Sequence, residues 1–368
     1  MTRRVLVVGG GVAGLATARA LRSSGIHDVT VVERRSGAPE PGLGLNLPGN
    51  AVRALGALGV AEEVLAAGVP VRRREYRTDR GRLLFAVDEA AFWSGVAPSV
   101  CVRPGRLLDA LGAGQPVRRG VGVVRVAGDA SGAEAELEDG TREPADLVVG
   151  ADGVRSVVRD AVAPTAGRAS VMTATSWRFV VPDPGVACWT AWTGGGRALL
   201  LVPVGPGEVY GYASSSRGGS TGSGLDWLAA AFARFPEPAR LAVEAACAPG
   251  ATRYRSTVTE VRAATWHRDR VLVLGDAAHA TGPVWAQGAA GALEDALVLA
   301  EELAAEDDWV RACAAWERRR RPRVAHVQAT TDRMSRLAAL PDVLARPLAP
   351  LAGPRAFRAA YGPLRAAP

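Results

Sequence analysis

Three glycines near the start of the chain have the spacing of a nucleotide-binding turn. Gly9, Gly11 and Gly14 form the pattern G-x-G-x-x-G. The first permits a tight turn, the second lets the backbone approach a pyrophosphate, and the third lets helix and strand pack closely. Glu33 follows at the distance where a carboxylate accepts hydrogen bonds from ribose hydroxyls. The motif predicts dinucleotide binding by these residues and the adjacent Arg34, but does not separate FAD from NAD.

The elements around these glycines fit that chemistry. Residues 4–8 (RVLVV) predict a strand, LATARALRSSG predicts a helix that Gly25 ends, and residues 28–33 (DVTVVE) predict a second strand. A βαβ unit of this kind places the helix N-terminus at the phosphates.

A second loop presents an acid at the end of a buried strand. In LVVGADGVRSVVR, residues 147–159, an apolar run is followed by Asp152 and Gly153 and then by a helix start near Ser156. Asp152 could contact a cofactor, or it could cap the helix as in an ordinary turn. Both roles can hold together, because a cap also fixes the loop.

A third loop, RVLVLGDAAH, places Asp276 at the end of another buried strand. A carboxylate there can accept hydrogen bonds from a polyol such as the flavin ribitol. Pro283 follows, and Gly288 and Ala289 then open a helix. Small residues let backbone N–H groups approach a flat ring, and the positive helix end favours negative charge on that ring. These features predict a flavin site.

With these three motifs in order, the chain resembles the FAD-dependent group A aromatic hydroxylases, a flavoprotein monooxygenase family with the p-hydroxybenzoate hydroxylase fold, and in particular their salicylate hydroxylase-like branch. The residues that carry the resemblance are GGGVAG with Glu33, GADGVRS, and GDAAHATGPVWAQGAAGALEDA. Weaker matches lie between them, and the resemblance covers about residues 3 to 330.

The resemblance implies that NADPH or NADH reduces FAD and that O2 then forms a C4a-hydroperoxide. That species transfers one oxygen atom to an electron-rich small molecule, such as a phenolic or polyketide-like aromatic. The cofactor carries this chemistry, so no catalytic side chain and no metal are expected. An oxidase, an epoxidase or an FAD-scaffolded non-redox cyclase of the same fold remains the alternative.

The resemblance also implies roles for single residues. Asp152 and Gly153 would contact FAD and NAD(P)H, and Arg103 would contact FAD. Arg106 is a rival for Arg103, because Leu107 stands four residues after Arg103 where the family has three. In the flavin loop, which usually reads P-x-x-G-Q-G, Ala286 replaces a glycine and the bulky Trp285 precedes it. Both changes bear on loop mobility and pocket shape.

The substrate is expected between a β-sheet and the flavin. The candidate lining residues are Trp177, Arg178, Trp189, Trp192, Tyr210 and Tyr212. Tyr210 and Tyr212 share strand parity and face one side, whereas Trp189 and Trp192 do not. The predicted substrate contacts are therefore Trp189, Tyr210, Tyr212 and Trp285. His279 is interpreted as structural.

The predicted fold class is α/β with an α+β insertion: a Rossmann-like FAD-binding domain, an interleaved β-sheet substrate domain and C-terminal helices. The FAD-binding domain is assigned residues 1–70, 97–168 and 265–330. The substrate domain is assigned 71–96 and 169–264, and a helical tail 331–368. The Pro- and Arg-rich segment 341–368 could be a cover or a partner contact.

Composition excludes several other classes. The net charge is +7 and every basic residue is arginine, which excludes lysine-dependent chemistry and argues against a flavin halogenase. The arginines are scattered and indicate a high-GC genome and secondary metabolism rather than nucleic-acid binding. The four cysteines have no CxxC spacing, which predicts neither disulfides nor a metal site.

Two further readings concern serine chemistry and location. The G-x-S-x-G match at Gly218–Gly222 lies in a Ser/Gly-rich loop and is a chance hydrolase motif. No apolar run is long enough to span a membrane, and the N-terminal run is a first strand, so we expect a cytoplasmic monomer or homodimer.

Overall fold

The structure is a computed structural model that describes residues 3–37, 43–163, 170–215, 224–338 and 342–368. The G-x-S-x-G match lies outside these residues. The strands are β1 (Arg4–Val8), β2 (Asp28–Glu33), β3 (Leu45–Leu47), β4 (Val69–Pro70), β5 (Arg73–Thr78), β6 (Leu83–Asp88), β7 (Val100–Val102), β8 (Val117–Arg119), β9 (Val123–Gly128), β10 (Ala133–Leu137), β11 (Arg142–Ala145), β12 (Leu147–Gly150), β13 (Ser170–Pro182), β14 (Trp189–Gly194), β15 (Arg197–Gly205), β16 (Glu208–Ser215), β17 (Thr252–Glu260), β18 (His267–Arg268) and β19 (Val271–Val273).

The helices alternate with these strands and dominate the C-terminal third. They are α1 (Val12–Ser23), α2 (Gly49–Ala57), α3 (Ala61–Ala66), α4 (Glu89–Phe92), α5 (Pro104–Gly112), α6 (Val158–Val162), α7 (Leu225–Phe232), α8 (Glu237–Cys247), α9 (Asp276–His279), α10 (Gly288–Ala305), α11 (Trp309–Ala338) and α12 (Asp342–Tyr361). Single 3-10 turns occur at Pro283–Trp285 and Gly362–Arg365. No described helix has both the length and the apolarity needed to cross a membrane.

A six-stranded sheet of order β18-β19-β12-β1-β2-β8 holds the glycine motif. The strands pair in parallel except for β18 at the edge, which is antiparallel to β19. β12 and β19 are buried throughout, as expected for strands covered on both faces. Strand order reverses at β1, which lies between β2 and β12. Ligands of such sheets bind at the carboxyl ends of the strands at this reversal.

A seven-stranded sheet of order β17-β13-β16-β15-β14-β5-β6 forms the second layer, and it is antiparallel except between β14 and β5. One face packs against α7 and α8. The other packs against the small β3-β7-β4 sheet, through Cys101 in β7 and Val71 just after β4. Side chains alternate between the two faces along each strand. The predicted mixed fold, with parallel and antiparallel sheets and C-terminal helices, is confirmed.

Candidate active site

The glycine turn after β1 admits no larger residue at two positions. Gly9 has φ +112°, and a Cβ there would lie 2.4 Å from the carbonyl oxygen of Ala151. A Cβ on Gly14 would lie 1.8 Å from the carbonyl oxygen of Gly9. Gly11 precedes α1, and a Cβ there would meet no atom within 4 Å. The start of α1 is therefore open to a phosphate group.

Glu33 closes the same corner of the sheet. Its Oε2 accepts a hydrogen bond of 2.8 Å from the backbone N–H of Gly10, and its Oε1 accepts one of 3.0 Å from Arg35. These donors hold the predicted ribose acceptor beside the turn. Arg34 is exposed next to it.

The Asp-Gly loop after β12 lies directly against the glycine turn. A Cβ on Gly9 would be 3.1 Å from the Cα of Asp152. Asp152 Oδ2 accepts a hydrogen bond of 2.7 Å from Val157 N, whereas its Oδ1 is buried and has no partner among the described residues. Burial raises the pKa of this carboxyl. Gly153 has φ +78°. Asp152 thus caps the α6 turn and also leaves one oxygen available to a ligand hydroxyl.

Arg159 joins this loop to the next one. Its guanidinium donates to the carbonyl of Val154 at 3.1 Å and to that of Ala277 at 2.9 Å. Ser156 Oγ accepts a hydrogen bond of 2.9 Å from Arg159 N. The loops after β12 and β19 are therefore fixed relative to each other.

Asp276 begins α9 and lies next to the flavin loop. Its side chain is exposed and forms no hydrogen bond with a described residue. Crowding by surrounding protein raises the pKa of Asp276, although the charges of His279 and Arg178 oppose that shift. A Cβ on Gly288 would lie 3.8 Å from Asp276 Oδ1. An uncovered carboxylate beside an open helix start fits a ligand that combines a polyol with a flat ring.

The loop between α9 and α10 contains a strained residue. Ala286 has φ +52°, in the left-handed region that favours glycine. Pro283 is exposed, while Trp285 is buried and lies 5.6 Å from the Tyr361 ring in an edge-to-face arrangement. The hydroxyl of Tyr361 donates a hydrogen bond of 2.7 Å to the Trp285 carbonyl. The side chain of Trp285 thus packs into a cluster with the C-terminal helix and not with Tyr210.

A buried polar network supports the start of α10 from behind. Asp295 Oδ2 accepts from the Gly275 backbone at 2.9 Å and is 2.6 Å from His279 Nε2. Asp295 Oδ1 accepts from Arg320 Nε at 2.8 Å. Burial alone would raise the pKa of Asp295, but the charges of His279 and Arg320 hold it well below its ordinary value. His279 therefore has a positioning role in this geometry.

Three of the predicted substrate residues lie on the inner face of the seven-stranded sheet, which is the face that does not pack against α7 and α8. Trp189 and Tyr210 belong to one buried cluster, and Tyr212 packs against it. Arg178 pairs with Tyr212 across β13 and β16 and lies with its guanidinium carbon 5.9 Å from the centre of that ring. Arg178 Nε is buried without a partner among the described residues. The structure brings these four side chains to one face.

Two other candidate lining residues, which were not among the predicted substrate contacts, lie on the opposite face of the sheet. Trp177 and Trp192 pack with Phe232 and Phe235 against α7 and α8. Strand parity is the reason, since Trp177 alternates with Arg178 and Trp192 has the opposite parity to Trp189.

Sequence reasoning missed Asn46. A Cβ on Gly44 would lie 2.4 Å from Tyr210 Cβ, so the segment Gly44–Leu47 runs against the inner face of the sheet. Asn46 is 8% exposed, and neither its amide nitrogen nor its amide oxygen has a partner among the described residues. A buried amide with two unmet bonds is costly unless a ligand or water meets them. A polar residue between two leucines was the only signal.

The Arg74–Glu89 pair was also missed. Both side chains are buried, and Arg74 lies over the ring of Trp189 at 5.0 Å and donates to the Tyr361 hydroxyl at 3.1 Å. This pair links the sheet face to the C-terminal helix. Arg74 appeared in the sequence only as part of an arginine run.

Arg103 follows β7 and lies at the N-terminus of α5. Its guanidinium lies 2.7 Å from Glu208 Oε2 at the start of β16. Arg106, its rival for the FAD contact, is exposed on α5. Arg103 therefore links the start of α5 to the seven-stranded sheet, and its contact with FAD stays a prediction.

Comparison with known proteins places this site in a family. A family model described as an FAD binding domain matches residues 2–331. The 3-amino-4-hydroxybenzoate 2-monooxygenase of Streptomyces cremeus is 35% identical over 358 residues, which covers 92% of this chain and 88% of that protein. The 2-heptyl-3-hydroxy-4(1H)-quinolone synthase of Mycobacteroides abscessus is 33% identical over 357 residues, which covers 93% and 92%.

Solved structures agree. The crystal structure of Klebsiella pneumoniae HpxO complexed with FAD and uric acid has a TM-score of 0.84 at 26% identity and covers 99% of this chain and 92% of that one. The tetrameric form of 2-methyl-3-hydroxypyridine-5-carboxylic acid oxygenase has a TM-score of 0.79 at 28% identity and covers 99% and 98%. The chain belongs to the group A flavoprotein hydroxylase family and is an FAD-dependent monooxygenase of the aromatic hydroxylase type.

Proposed function

We propose that the protein uses NADH or NADPH to reduce FAD and inserts one oxygen atom from O2 into a phenolic or related electron-rich aromatic. The observation that carries this proposal is the position of Arg178, which lies beside Tyr212 on the sheet face and close enough to Asp276 of the predicted flavin site for its charge to act on both Asp276 and Tyr210.

FAD, when bound, would supply electron storage and oxygen activation. The residues proposed to hold it are Gly9, Gly11, Gly14, Glu33, Arg34, Arg103, Asp152, Gly153, Asp276, Pro283, Gly288 and Ala289. Three features support this assignment: the tight turn at Gly9 and Gly14, the Asp152 oxygen that has no partner among the described residues, and the exposed carboxylate of Asp276. We also propose that NAD(P)H reaches the same cleft, since the chain has one G-x-G-x-x-G motif.

The sheet face would bind and polarise the substrate. Arg178 provides a positive charge that lowers the pKa of a phenol beside it and favours the electron-rich phenolate. Burial raises the pKa of Tyr210, so its hydroxyl stays protonated at neutral pH and can donate a hydrogen bond. Trp189 and Tyr212 supply flat apolar surface for a ring. We propose no catalytic side chain for the oxygen transfer itself.

The relatives support the substrate class. One is named for a hydroxybenzoate, another for a quinolone, and the HpxO crystals contain uric acid. All three molecules contain planar rings that carry hydroxyl or carbonyl oxygen. The sheet face formed by tyrosine, tryptophan and arginine side chains could stack on such rings and bind their oxygen atoms.

The test is oxygen consumption by the FAD-loaded protein with NADPH or NADH and a panel of phenols and quinolones, with 18O2 and mass spectrometry of the products. We expect one labelled oxygen atom in the product of the preferred ring. Oxygen uptake with hydrogen peroxide but no labelled product would favour an oxidase. Turnover without oxygen or nicotinamide would favour the non-redox alternative.

A further inference from the structure

The C-terminal helix α12 leaves an apolar face uncovered. Val343, Leu344, Leu348 and Leu351 are 78%, 58%, 62% and 67% exposed, the four highest values among the large hydrophobic side chains that the structure describes. Apolar side chains clustered in this way mark interaction surfaces more often than isolated ones do. The oxygenation chemistry proposed above gives this face no role.

The face continues into a basic segment. Leu344, Leu348, Leu351, Arg355 and Arg358 follow one another at steps of four, three, four and three residues, so they form one stripe along the helix. All five are exposed. We call this set the α12 stripe.

The rest of α12 is fixed to the body of the protein, which holds the α12 stripe outward. Phe357 and Tyr361 are buried on its inner side. Arg346 lies 2.8 Å from Asp79, and a Cβ on Gly353 would lie 2.2 Å from the Phe85 ring. The apolar face is thus a preformed surface.

Most of the net positive charge of the chain lies in this region. Residues 333–368 contain six arginines and one acidic residue, in a chain of net charge +7. Arg333, Arg336, Arg355 and Arg358 are exposed, and none forms an ion pair with a described carboxylate. A leucine-rich face beside exposed arginines matches the two layers of an anionic bilayer surface, acyl chains and phosphates.

We infer that the α12 stripe docks the protein on the surface of an anionic lipid bilayer. A second copy of the chain fits this face less well. Two parallel stripes would bring like charges together at Arg355 and Arg358, and two antiparallel stripes would place the arginines of each copy against the leucines of the other. The inference does not depend on which substrate is oxidised.

The test is co-sedimentation of the full-length, FAD-loaded protein with vesicles. One set contains phosphatidylcholine alone, and the other contains phosphatidylcholine and phosphatidylglycerol in equal parts. We expect binding to the anionic vesicles that weakens with added salt, and at least about tenfold weaker binding to phosphatidylcholine. The triple variant Leu344→Ser, Leu348→Ser, Leu351→Ser should bind at least about tenfold more weakly.

A second variant separates the contribution of the arginine charges to vesicle binding from that of the leucine side chains. Arg355→Gln with Arg358→Gln should weaken binding to anionic vesicles about fivefold per arginine. The control variant Val124→Ser with Leu241→Ser removes exposed apolar side chains on β9 and α8 and should bind like the wild type. Light scattering on the same samples reports the oligomeric state. If the wild-type protein does not bind anionic vesicles, the inference is wrong. If the wild-type protein is a dimer and the triple leucine variant is a monomer, the face binds a second copy of the chain instead.

Discussion

At the scale of single residues, the proposed function depends most on the charge of Arg178. Its Nε is buried without a partner among the described residues, and its guanidinium lies over Tyr212. A hydrogen bond from a charged donor contributes about 1.5–3 kcal/mol, so Arg178→Met should lower kcat/KM for phenols about 10- to 100-fold. The pKa of the bound phenol, followed by its absorbance, should rise. FAD content should not change.

The neighbouring strand offers a matched control for this prediction. Arg255 on β17 pairs with Trp177 in the register and is exposed. Arg255→Met removes the same charge from the same sheet without entering the cleft, so it should leave kcat/KM unchanged. Equal losses in both variants would mean that the net charge of the sheet matters rather than the position of Arg178.

The sequence predicted the residues whose role depends on local backbone shape. Gly9, Gly14 and Asp276 could be found because a strand, a turn and a helix start lie next to one another in the chain. Asn46 and the Arg74–Glu89 pair could not, because their importance arises from contacts between segments far apart in sequence. The assignment of the FAD and substrate contacts stays a prediction.

At the scale of elements, the turn before α10 stores backbone strain. Ala286 adopts φ +52°, where a Cβ is unfavourable and glycine is not. Ala286→Gly should raise the free energy of unfolding by about 0.5–1 kcal/mol, because relief of strain exceeds the added freedom of the unfolded chain. Chemical denaturation measures this difference.

Ala304→Gly provides the contrast, since Ala304 lies in α10 and is exposed. Glycine within a helix lowers stability, so this variant should be less stable than the wild type. If Ala286→Gly were destabilising by a similar amount, the left-handed conformation at Ala286 would be contradicted.

The support of α10 from behind is electrostatic and should depend on pH. The pKa of Asp295 is lowered in the folded protein, so the stability this carboxylate contributes is fully present above its unfolded pKa of about 4 and is lost as the pH falls below that value. Asp295→Asn should cost about 3 kcal/mol at neutral pH. The gap between variant and wild type should shrink only in strongly acidic solution.

Glu302→Gln is the control for this network. Glu302 lies on α10, like Asp295, and pairs with Arg319 on α11 at a distance of 3.1 Å near the surface. Such partly exposed ion pairs contribute less than about 1 kcal/mol to the free energy of unfolding. Urea unfolding of both variants at several pH values measures how much stability each substitution removes. A pH-independent loss in Asp295→Asn would show that packing, not charge, fixes this network.

The last helices show why elements were easier to predict than their contacts. The pattern after residue 288 predicted helices, and α10, α11 and α12 form there. The sequence left open whether the tail covers the protein or meets a partner. The structure buries Phe357 and Tyr361 against Trp93 and Trp285, and these rings come together only through the tertiary fold.

At the scale of the whole molecule, two buried thiols can be used to test how tightly the fold is packed. Cys101 is buried with Val202 and Tyr210 between the β3-β7-β4 sheet and the seven-stranded sheet, and Cys313 is buried on α11. Burial raises the pKa of each thiol to about 12. Cys188 and Cys247 are half-buried, and burial raises the pKa of each less strongly.

We therefore expect iodoacetamide to label Cys188 and Cys247 first in the native protein at mildly alkaline pH. Cys101 and Cys313 should react only on unfolding, because the reactive thiolate is scarce and shielded. Mass spectrometry after timed labelling identifies the modified residues. Labelling of Cys101 at the rate of Cys188 would mean that the two sheets separate readily in solution.

The central claim is that one cleft joins a reducible flavin to an aromatic substrate. The most direct measurement is anaerobic stopped-flow absorbance of the yellow, FAD-loaded protein mixed with NADPH and then NADH, with and without phenols. We predict loss of the visible flavin band with at least one nicotinamide, and faster loss when a suitable phenol occupies the face around Arg178 and Tyr210. Bound FAD that neither nicotinamide reduces, with any phenol present, would contradict the claim.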